Sequence, residues 1–222
     1  MEFAESSQQF GPERALALTY LPASRREMVI AIWRLDLRLR ELAMTAKDAM
    51  LGRIRLQWWA DQMAQLDPLH PPAEPLLQAL AAAMAQTTAA QDDLSELAIG
   101  WQQLVQDGEP DDAELAAYAD FRGRAMFRLM TGDDQAAQPV LIDHGPTWAL
   151  ADVAALLPAG GLRTRTLALA ARMMPLTGPV GTARAARAAG ALAWLARWDV
   201  SGTHRPALAR IARMAWHRLS GR

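Results

Sequence analysis

Apolar residues recur along most of the chain at the three- and four-residue spacing of an amphipathic helix, and no stretch alternates convincingly between polar and apolar positions. Val and Ile are scarce beside Ala, Leu, Arg, Gln and Met, which are strong helix formers. The clearest apolar stripe consists of Met28, Ile32, Leu35, Leu39 and Leu42. The pattern therefore predicts an all-α protein.

Gly, Pro and short polar stretches divide this helical pattern into segments. Ser24, with Glu27 three residues later, predicts a capping box at the start of one helix. Residues 131–145 are polar and predict a loop. Because no linker is long and no repeat is present, we expect residues 1–222 to form one domain. The predicted helices cover residues 12–19, 24–42, 49–66, 74–86, from Asp92 or Asp93 to 105, from Asp111 or Asp112 to 130, 147–157, 163–174, 182–198 and 205–219.

The composition is that of a globular protein. Hydrophobic residues make up 51% of the 222 residues and charged residues 21%, which is ample for a buried core. Cysteine is absent, which excludes disulfides, thiolate zinc sites and cysteine nucleophiles. Residues 1–7 are acidic and polar, unlike a secretory or mitochondrial leader. No window approaches the roughly 18 apolar residues that span a bilayer. We expect a cytoplasmic protein, either soluble or peripheral to the inner membrane.

The net charge of −1 hides an asymmetry along the chain. Residues 161–222 contain eleven arginines and one acid, Asp199, whereas the first 160 residues contain 12 bases and 23 acids. One interpretation is the arginine bias of a GC-rich genome. A second is a cationic surface for an anionic lipid, a nucleic acid or an acidic partner, and a third is attraction between the two halves of one fold. Because the arginines spread over several helix faces, we expect no nucleic-acid partner.

The predicted helix over residues 182–198 combines arginines with Leu192, Trp194, Leu195 and Trp198. Such a helix can lie on a membrane, with arginines at the headgroups and tryptophans at the interface. The alternative is an ordinary outer helix of the bundle. Elsewhere, the four histidines do not fall at ligand spacing, and no nucleophile elbow, Walker loop or dinucleotide-binding glycine motif is present.

Residues 49–61, which read AMLGRIRLQWWAD, resemble a signature of the squalene/phytoene synthase family. Residues 21–26 and 31–36 resemble two earlier blocks of that family at the same spacing, His70 and Pro71 resemble its connector, and Tyr118 with Gly123 fits a later helix weakly. The resemblance is strong over residues 16–71, fair to residue 131 and weak beyond. Its form is most similar to a degenerate branch that includes the mitochondrial complex I assembly factor of the family.

The resemblance implies an isoprenoid-synthase-like bundle of helices around a deep central cavity. In active members, two helices on opposite walls each present an aspartate-rich motif. Carboxylates at i and i+4 share one helix face. They can therefore hold the Mg²⁺ ions that stabilise a departing pyrophosphate.

The two aspartate motifs are missing at the expected positions. The first falls on residues 40–44, where Arg40 is cationic and only Glu41 is acidic. In the region of the second, residues 147–165, Asp152 stands alone. The pair Asp107 and Asp111 has the right spacing but straddles Gly108 and Pro110, which break a helix. The adjacent pairs at 92–93, 111–112 and 133–134 are interpreted as helix caps or solvated residues. We therefore predict no metal ligand and no catalytic residue.

The helix that carries the signature has the remaining candidate site residues. Trp58 and Trp59 are interpreted as core and helix-packing residues, or alternatively as a cavity wall or an interface. The polar residues of this helix form either a solvated face with internal pairs or a cavity wall that once faced a diphosphate. With Arg40, Glu41 and Asp152, the candidates for a cavity or interaction surface are Arg53, Arg55, Gln57, Trp58, Trp59 and Asp61.

Two functions remain open from the sequence. The first is a non-catalytic family member that acts as an assembly or interaction factor near the membrane. It would need no cofactor, and its partner would be a protein or an isoprenoid or other lipid, with peripheral membrane contact through residues 161–222. The alternative is an active Mg²⁺-dependent prenyltransferase that joins two prenyl diphosphates head-to-head in squalene or phytoene biosynthesis.

Overall fold

The computed structural model describes residues 3–85, 91–132, 138–179, 186–202 and 205–221. Within these ranges all regular secondary structure is helical, which confirms the predicted fold class. The helices are α1 (Phe3–Phe10), α2 (Pro12–Leu18), α3 (Ala23–Met44), α4 (Ala49–Ala64), α5 (Pro75–Met84), α6 (Gln91–Gln102), α7 (Asp112–Tyr118), a π-helical turn (Ala119–Gly123), α8 (Arg124–Thr131), α9 (Gln138–Ile142), α10 (Gly145–Leu156), α11 (Gly161–Met173), α12 (Ala186–Val200) and α13 (Ala207–Ser220).

Side-chain caps start several of these helices. Asp48 and Glu74 accept hydrogen bonds from backbone N–H groups of α4 and α5. Asp111, one of the two predicted caps of α7, forms a capping box with Glu114. The capping box predicted at Ser24 is wrong, because α3 begins one residue earlier. There the extended backbone of Pro22 starts the helix without any side-chain cap.

The apolar stripe of α3 packs in the core as its spacing predicts. Met28, Ile32, Leu35 and Leu39 are fully buried. The helix predicted to end at residue 130 consists of three consecutive parts, which are α7, the π-helical turn and α8. Two short helices differ from the prediction. The sequence pattern missed α1, and α9 lies in the predicted loop 131–145, of which residues 133–137 fall outside the described ranges.

Helix α12 is an internal helix and not an outer or membrane-surface one. Its Ala188, Ala189, Leu192 and Leu195 are buried, and it packs against α2, α8, α10 and α13. Both interpretations of residues 182–198 are therefore wrong for the part that the structure describes. The reason is that alanine and glycine occupy many positions on all sides of this helix, and these small residues let other helices approach it closely.

The helices that meet around the centre of the bundle position the charged groups analysed below. Helix α6 packs against α3, α4 and the π-helical turn, and α10 packs against that turn, α8 and α12. In the described ranges, no helix is both long enough and apolar enough to cross a membrane.

Candidate functional site

A buried aspartate and a buried arginine face each other at the centre of the bundle. Asp36 lies on α3 and Arg122 in the π-helical turn, and their side chains are 1% and 0% exposed. Arg122 donates from Nε to Asp36 Oδ1 and from Nη2 to Asp36 Oδ2, both at 2.7 Å. This two-bond geometry is the strongest form of the arginine–carboxylate interaction.

A second ion pair extends this centre towards the surface. Nη2 of Arg122 also donates to Asp152 Oδ2 on α10 at 2.7 Å. Arg14 on α2 donates to the other carboxylate oxygen of Asp152, again at 2.7 Å. Two arginines thus neutralise two aspartates. We call these four residues, Arg14, Asp36, Arg122 and Asp152, the central ion cluster.

Aromatic side chains enclose the central ion cluster. The guanidinium carbon of Arg122 lies 4.7 Å from the ring centroid of Trp101 and 4.6 Å from that of Trp148. Trp101 Nε1 donates to Asp36 Oδ1 at 2.8 Å, and Arg122 Nη1 donates to the Tyr118 hydroxyl at 2.7 Å. The aromatic rings keep water away from Asp36 and Arg122, whose charges the protein itself satisfies, whereas the Asp152 side chain is 22% exposed.

Close backbone packing holds Arg122 and Asp152 in place. A Cβ atom on Gly123 would lie 2.3 Å from the carbonyl oxygen of Gly145, where the π-helical turn crosses the start of α10. A Cβ atom on Gly100 of α6 would lie 2.9 Å from the Arg122 backbone nitrogen. Only glycine permits these two approaches. A π-helical turn adds a residue to the helix and is often found at functional sites.

The electrostatics of the central ion cluster keep Asp36, Arg122 and Asp152 charged. Burial alone raises the pKa of Asp152, but the charges of Arg14 and Arg122 outweigh it and lower that pKa to about 2. Burial likewise opposes ionisation of Asp36, whose pKa is nevertheless lowered, chiefly by Arg122. The pKa of Arg122 is raised well above its ordinary value, because its carboxylate partners more than offset the burial of its charge.

Two pockets adjoin the central ion cluster. One, of about 170 Å³, is lined by Arg14, Trp148, Asp152 and residues of α12. The other, of about 530 Å³, is lined by residues 9–14 together with Leu37, Arg40 and Asp152. Arg40 lies at the predicted position of the first aspartate motif and Asp152 in the region of the second, and both line this pocket. The first motif therefore contributes a cation to the pocket in place of a carboxylate.

The other predicted candidates lie away from the central ion cluster. Glu41 is exposed and accepts a hydrogen bond from Arg38, one turn earlier on α3. On α4, Arg53 donates to the backbone oxygen of Val105, and Gln57 donates to Asp61. Arg55, Gln57 and Asp61 are exposed, so the polar residues of this helix face solvent and not a cavity.

The two adjacent tryptophans of α4 have different environments. Trp59 is 5% exposed and belongs to the core, whereas Trp58 is 45% exposed. Their rings contact edge to face, with centroids 5.3 Å apart. Met50, Leu51 and Ile54 are also more than half exposed, at one to two turns before Trp58. We call Met50, Leu51, Ile54 and Trp58 the outer face of α4.

Two of the aspartates that were interpreted as caps or solvated residues bind arginines of other helices. Asp93 lies in the first turn of α6 and pairs with Arg128 of α8, and Asp112 pairs with Arg165 and Arg172 of α11. Asp107 is exposed in the turn before α7. Residues 133 and 134 lie outside the described ranges.

The Mg²⁺ that the family implies does not fit the residues of this site. Asp36 and Asp152 direct their oxygens at arginine N–H groups, and a magnesium ion would have to displace Arg122 from both. Glu41 is on the surface. Across the described ranges, no group of three or more His, Asp or Glu side chains could hold a metal ion. The carboxylate oxygens that Mg²⁺ requires are therefore committed to arginines.

Three of the four members of the central ion cluster, Arg14, Asp36 and Arg122, are not among the site residues predicted from the sequence. Asp36 lies one turn after Ile32 and three residues before Leu39, in the middle of the buried stripe of α3. A carboxylate in an apolar stripe needs a buried cation as its partner, so the position of Asp36 in the sequence indicates a buried ion pair. Nothing in the sequence identifies Arg122 as that cation, because 86 positions separate the two residues.

A family model for squalene/phytoene synthase matches residues 7–153 of the chain. The chain therefore belongs to the squalene/phytoene synthase family, as the resemblance in α3 and α4 predicts. The matched range contains the whole central ion cluster and ends before α11. Searches of curated proteins and of solved structures gave no match. The degenerate branch stays a prediction, because the match identifies the family as a whole.

Proposed function

We propose that this chain is a non-catalytic member of the squalene/phytoene synthase family and acts as an assembly or interaction factor near the membrane. The observation that carries the proposal is the bidentate contact of Arg122 with Asp36, together with its bond to Asp152. Prenyl transfer in this family needs carboxylates that are free to bind Mg²⁺, and here Arg122 binds the carboxylates of Asp36 and Asp152.

The cost of freeing these carboxylates supports the same conclusion. Binding Mg²⁺ to Asp36 or Asp152 would take one of its two counter-ions from the fully buried Arg122. An uncompensated buried charge costs several kcal/mol, about 3–5 when one partner of a buried pair is removed. A metal ion would have to repay this before it contributed to catalysis. The central ion cluster therefore serves as a stable internal support.

The outer face of α4 supports an interaction role. Its four large apolar residues, Met50, Leu51, Ile54 and Trp58, are 45–70% exposed and lie within about two helical turns. Contiguous exposed apolar residues of this kind are typical of interaction surfaces. They belong to the segment whose sequence is most similar to the family signature, and they point away from the central ion cluster.

The catalytic part of the proposal is tested with radiolabelled farnesyl or geranylgeranyl diphosphate and Mg²⁺. We expect no pyrophosphate release above that of a protein-free control, while an active family enzyme in parallel validates the assay. Asp152→Asn serves as the matched variant. Mg²⁺-dependent release by the wild type that disappears in this variant would show that the chain is a prenyltransferase, and the proposal would be wrong.

The interaction part is tested in cells of the source organism. The wild-type chain should elute in native size-exclusion chromatography as a complex larger than the single chain. A Met50→Gln, Ile54→Gln double variant should elute as the free chain, whereas Leu69→Gln, at an 83% exposed leucine outside α4, should behave as wild type. A wild-type chain that elutes alone would contradict the interaction role.

A further inference from the structure

The last described helix, α13, exposes an apolar face to solvent. Leu208, Ile211, Trp216 and Leu219 are 80%, 47%, 59% and 77% exposed. At about 100° per residue these four positions fall on one side of the helix. Met214 and His217, on the opposite side, are buried against the bundle. We call the four exposed residues the outer face of α13. An ordinary surface helix turns its apolar side to the core, whereas α13 exposes an apolar side to the surroundings.

Three arginines surround this face and have no carboxylate partner in the described ranges: Arg205, Arg213 and Arg218. The guanidinium carbons of the three lie 5.2 Å from the Trp198 ring, 3.7 Å from the Trp194 ring and 5.2 Å from the Tyr20 ring, respectively. A ring contact uses the flat face of a guanidinium and leaves its in-plane N–H groups available for anions.

Acidic residues are absent from α13 itself. The one acid of residues 161–222, Asp199, is bound by Arg210, which also binds Glu13 of α2. These contacts attach α13 to the bundle and use both carboxylates. Within the part of the chain that the structure describes, positive charge therefore remains uncompensated around the outer face of α13.

An apolar groove continues this face towards α2. It has a volume of about 530 Å³ and is lined by Leu16, Ala207 and Ile211. Its charged residues are Arg205 and the ion pair of Arg210 with Glu13. The groove and the outer face together form one apolar surface with arginines at its margins.

We propose that α13 docks this protein on an anionic lipid bilayer, with its outer face among the acyl chains and Arg205, Arg213 and Arg218 at the lipid phosphates. Apolar residues including Trp on one side and arginines at the edges are the features of an interfacial helix. The inference rests on the proposed function near the membrane and names the element and the lipid charge that it requires.

A second copy of the chain fits this surface less well. A two-fold dimer places the same patch of both copies face to face. The arginines of one α13 would then meet the arginines of the other, with no acid on either helix to compensate them. An anionic bilayer supplies the opposite charge along the whole helix.

Vesicle flotation of the full chain tests the proposal. The protein should float with phosphatidylcholine vesicles that contain phosphatidylglycerol, and should float much less with phosphatidylcholine alone or at high salt. The Leu208→Gln, Leu219→Gln double variant should lose at least about tenfold in partitioning. Arg205→Gln and Arg218→Gln should each lose about fivefold. Leu69→Gln, equally exposed but outside α13, should partition as wild type.

The design separates this inference from its alternatives. All substituted leucines are exposed, so unchanged far-UV circular dichroism should confirm the fold of each variant. Absence of flotation with anionic vesicles, or flotation that survives the double leucine substitution, would overturn the proposal. Two other results would also overturn it. One is a wild-type dimer that the double leucine substitution dissociates, and the other is a complex with an acidic protein, formed in place of lipid binding, that the same substitution dissociates. The pyrophosphate assay is independent, because an active enzyme would overturn the proposed function and leave the flotation result unchanged.

Discussion

Arginine has opposite roles in the central ion cluster and around the outer face of α13. In the centre, Arg122 is fully buried and binds two carboxylates within 2.7 Å. Around α13, Arg205 and Arg218 are exposed, lie over aromatic rings and have no carboxylate partner in the described ranges. The charges of the first region compensate one another, whereas the positive charge of the second has no compensating carboxylate among the described residues.

The difference shows how burial and partners decide what a charged residue does. A buried charge must be compensated within the protein, and it then adds structural specificity but binds nothing else. An exposed arginine without a partner contributes little to folding and remains available for recognition. The central ion cluster lies within the range that matches the family, residues 7–153, and α13 lies outside it. The internal support thus belongs to the family region and the proposed membrane contact to the segment beyond it.

The largest expected effect comes from removing the central arginine. Arg122→Met leaves Asp36 and Asp152 without their shared cation, so the free energy of unfolding should fall by about 3–5 kcal/mol. Urea denaturation followed by circular dichroism measures this change.

A charge-balanced variant serves as the control for Arg122→Met. Asp36→Leu combined with Arg122→Met removes one ion pair and keeps the bond between Arg14 and Asp152. Its loss of stability should be smaller than that of Arg122→Met alone, because no buried carboxylate is left unpaired. A double variant that is less stable than the single one would show that packing, and not charge, dominates the cluster.

The pH dependence of stability should show two successive losses, the first at His144. Burial, with a smaller contribution from the charge of Arg197, lowers the pKa of this histidine to about 4. The unfolded chain therefore takes up a proton first as the pH falls, and between about pH 6.5 and 4 stability should decrease by about 3 kcal/mol. Neither ring nitrogen of His144 has a hydrogen-bond partner in the described ranges, so His144→Leu should remove this loss.

The second loss belongs to the central ion cluster. The folded-state pKa of Asp152 is lowered to about 2, so its contribution is complete above its unfolded pKa and is lost as the pH falls from about 4 towards 2. About 2 kcal/mol is expected from this group. Denaturant titrations at a series of pH values measure both losses. A His144→Leu protein that still loses stability between pH 6.5 and 4 would contradict the assignment of the first.

Closer packing at the glycine crossing should have an intermediate effect. Gly123→Ala places a Cβ atom against the Gly145 backbone and should cost about 1–3 kcal/mol, because two backbones must separate and carry Arg122 away from Asp152. Thermal denaturation measures the loss. Gly161→Ala is the matched control, since a Cβ atom there meets nothing within 4 Å. Equal effects of the two substitutions would contradict the close crossing.

The smallest effect is expected for an arginine of α13. Arg213→Met removes only the contact with the Trp194 ring, so the free energy of unfolding should change by about 1 kcal/mol or less. The same denaturation experiment as for Arg122→Met allows a direct comparison. If the two substitutions cost the same, burial and pairing do not distinguish the two regions.

Local sequence signals predicted most of the helices. The stripe of α3, the cap at Asp111 and the helix of residues 49–66 follow from spacing, caps and helix propensity, which act within a few residues. Predictions failed where non-local packing decided the outcome. Residues 182–198 have the composition of an interfacial helix, yet α12 is internal because α2, α8, α10 and α13 cover it. By contrast, none of the described helices covers the apolar face of α13.

The sequence by itself determined that the chain is helical and that it resembles the squalene/phytoene synthase family, and it predicted that the expected metal-binding aspartates are missing. It also identified Asp152 as the single acid in the region of the second motif. Only the tertiary structure revealed that Asp152 and Asp36 share Arg122, because the three residues lie on different helices and 86 positions separate Asp36 from Arg122. Which arginines are neutralised and which remain available depends on contacts between distant segments, and local periodicity carries no information about those contacts.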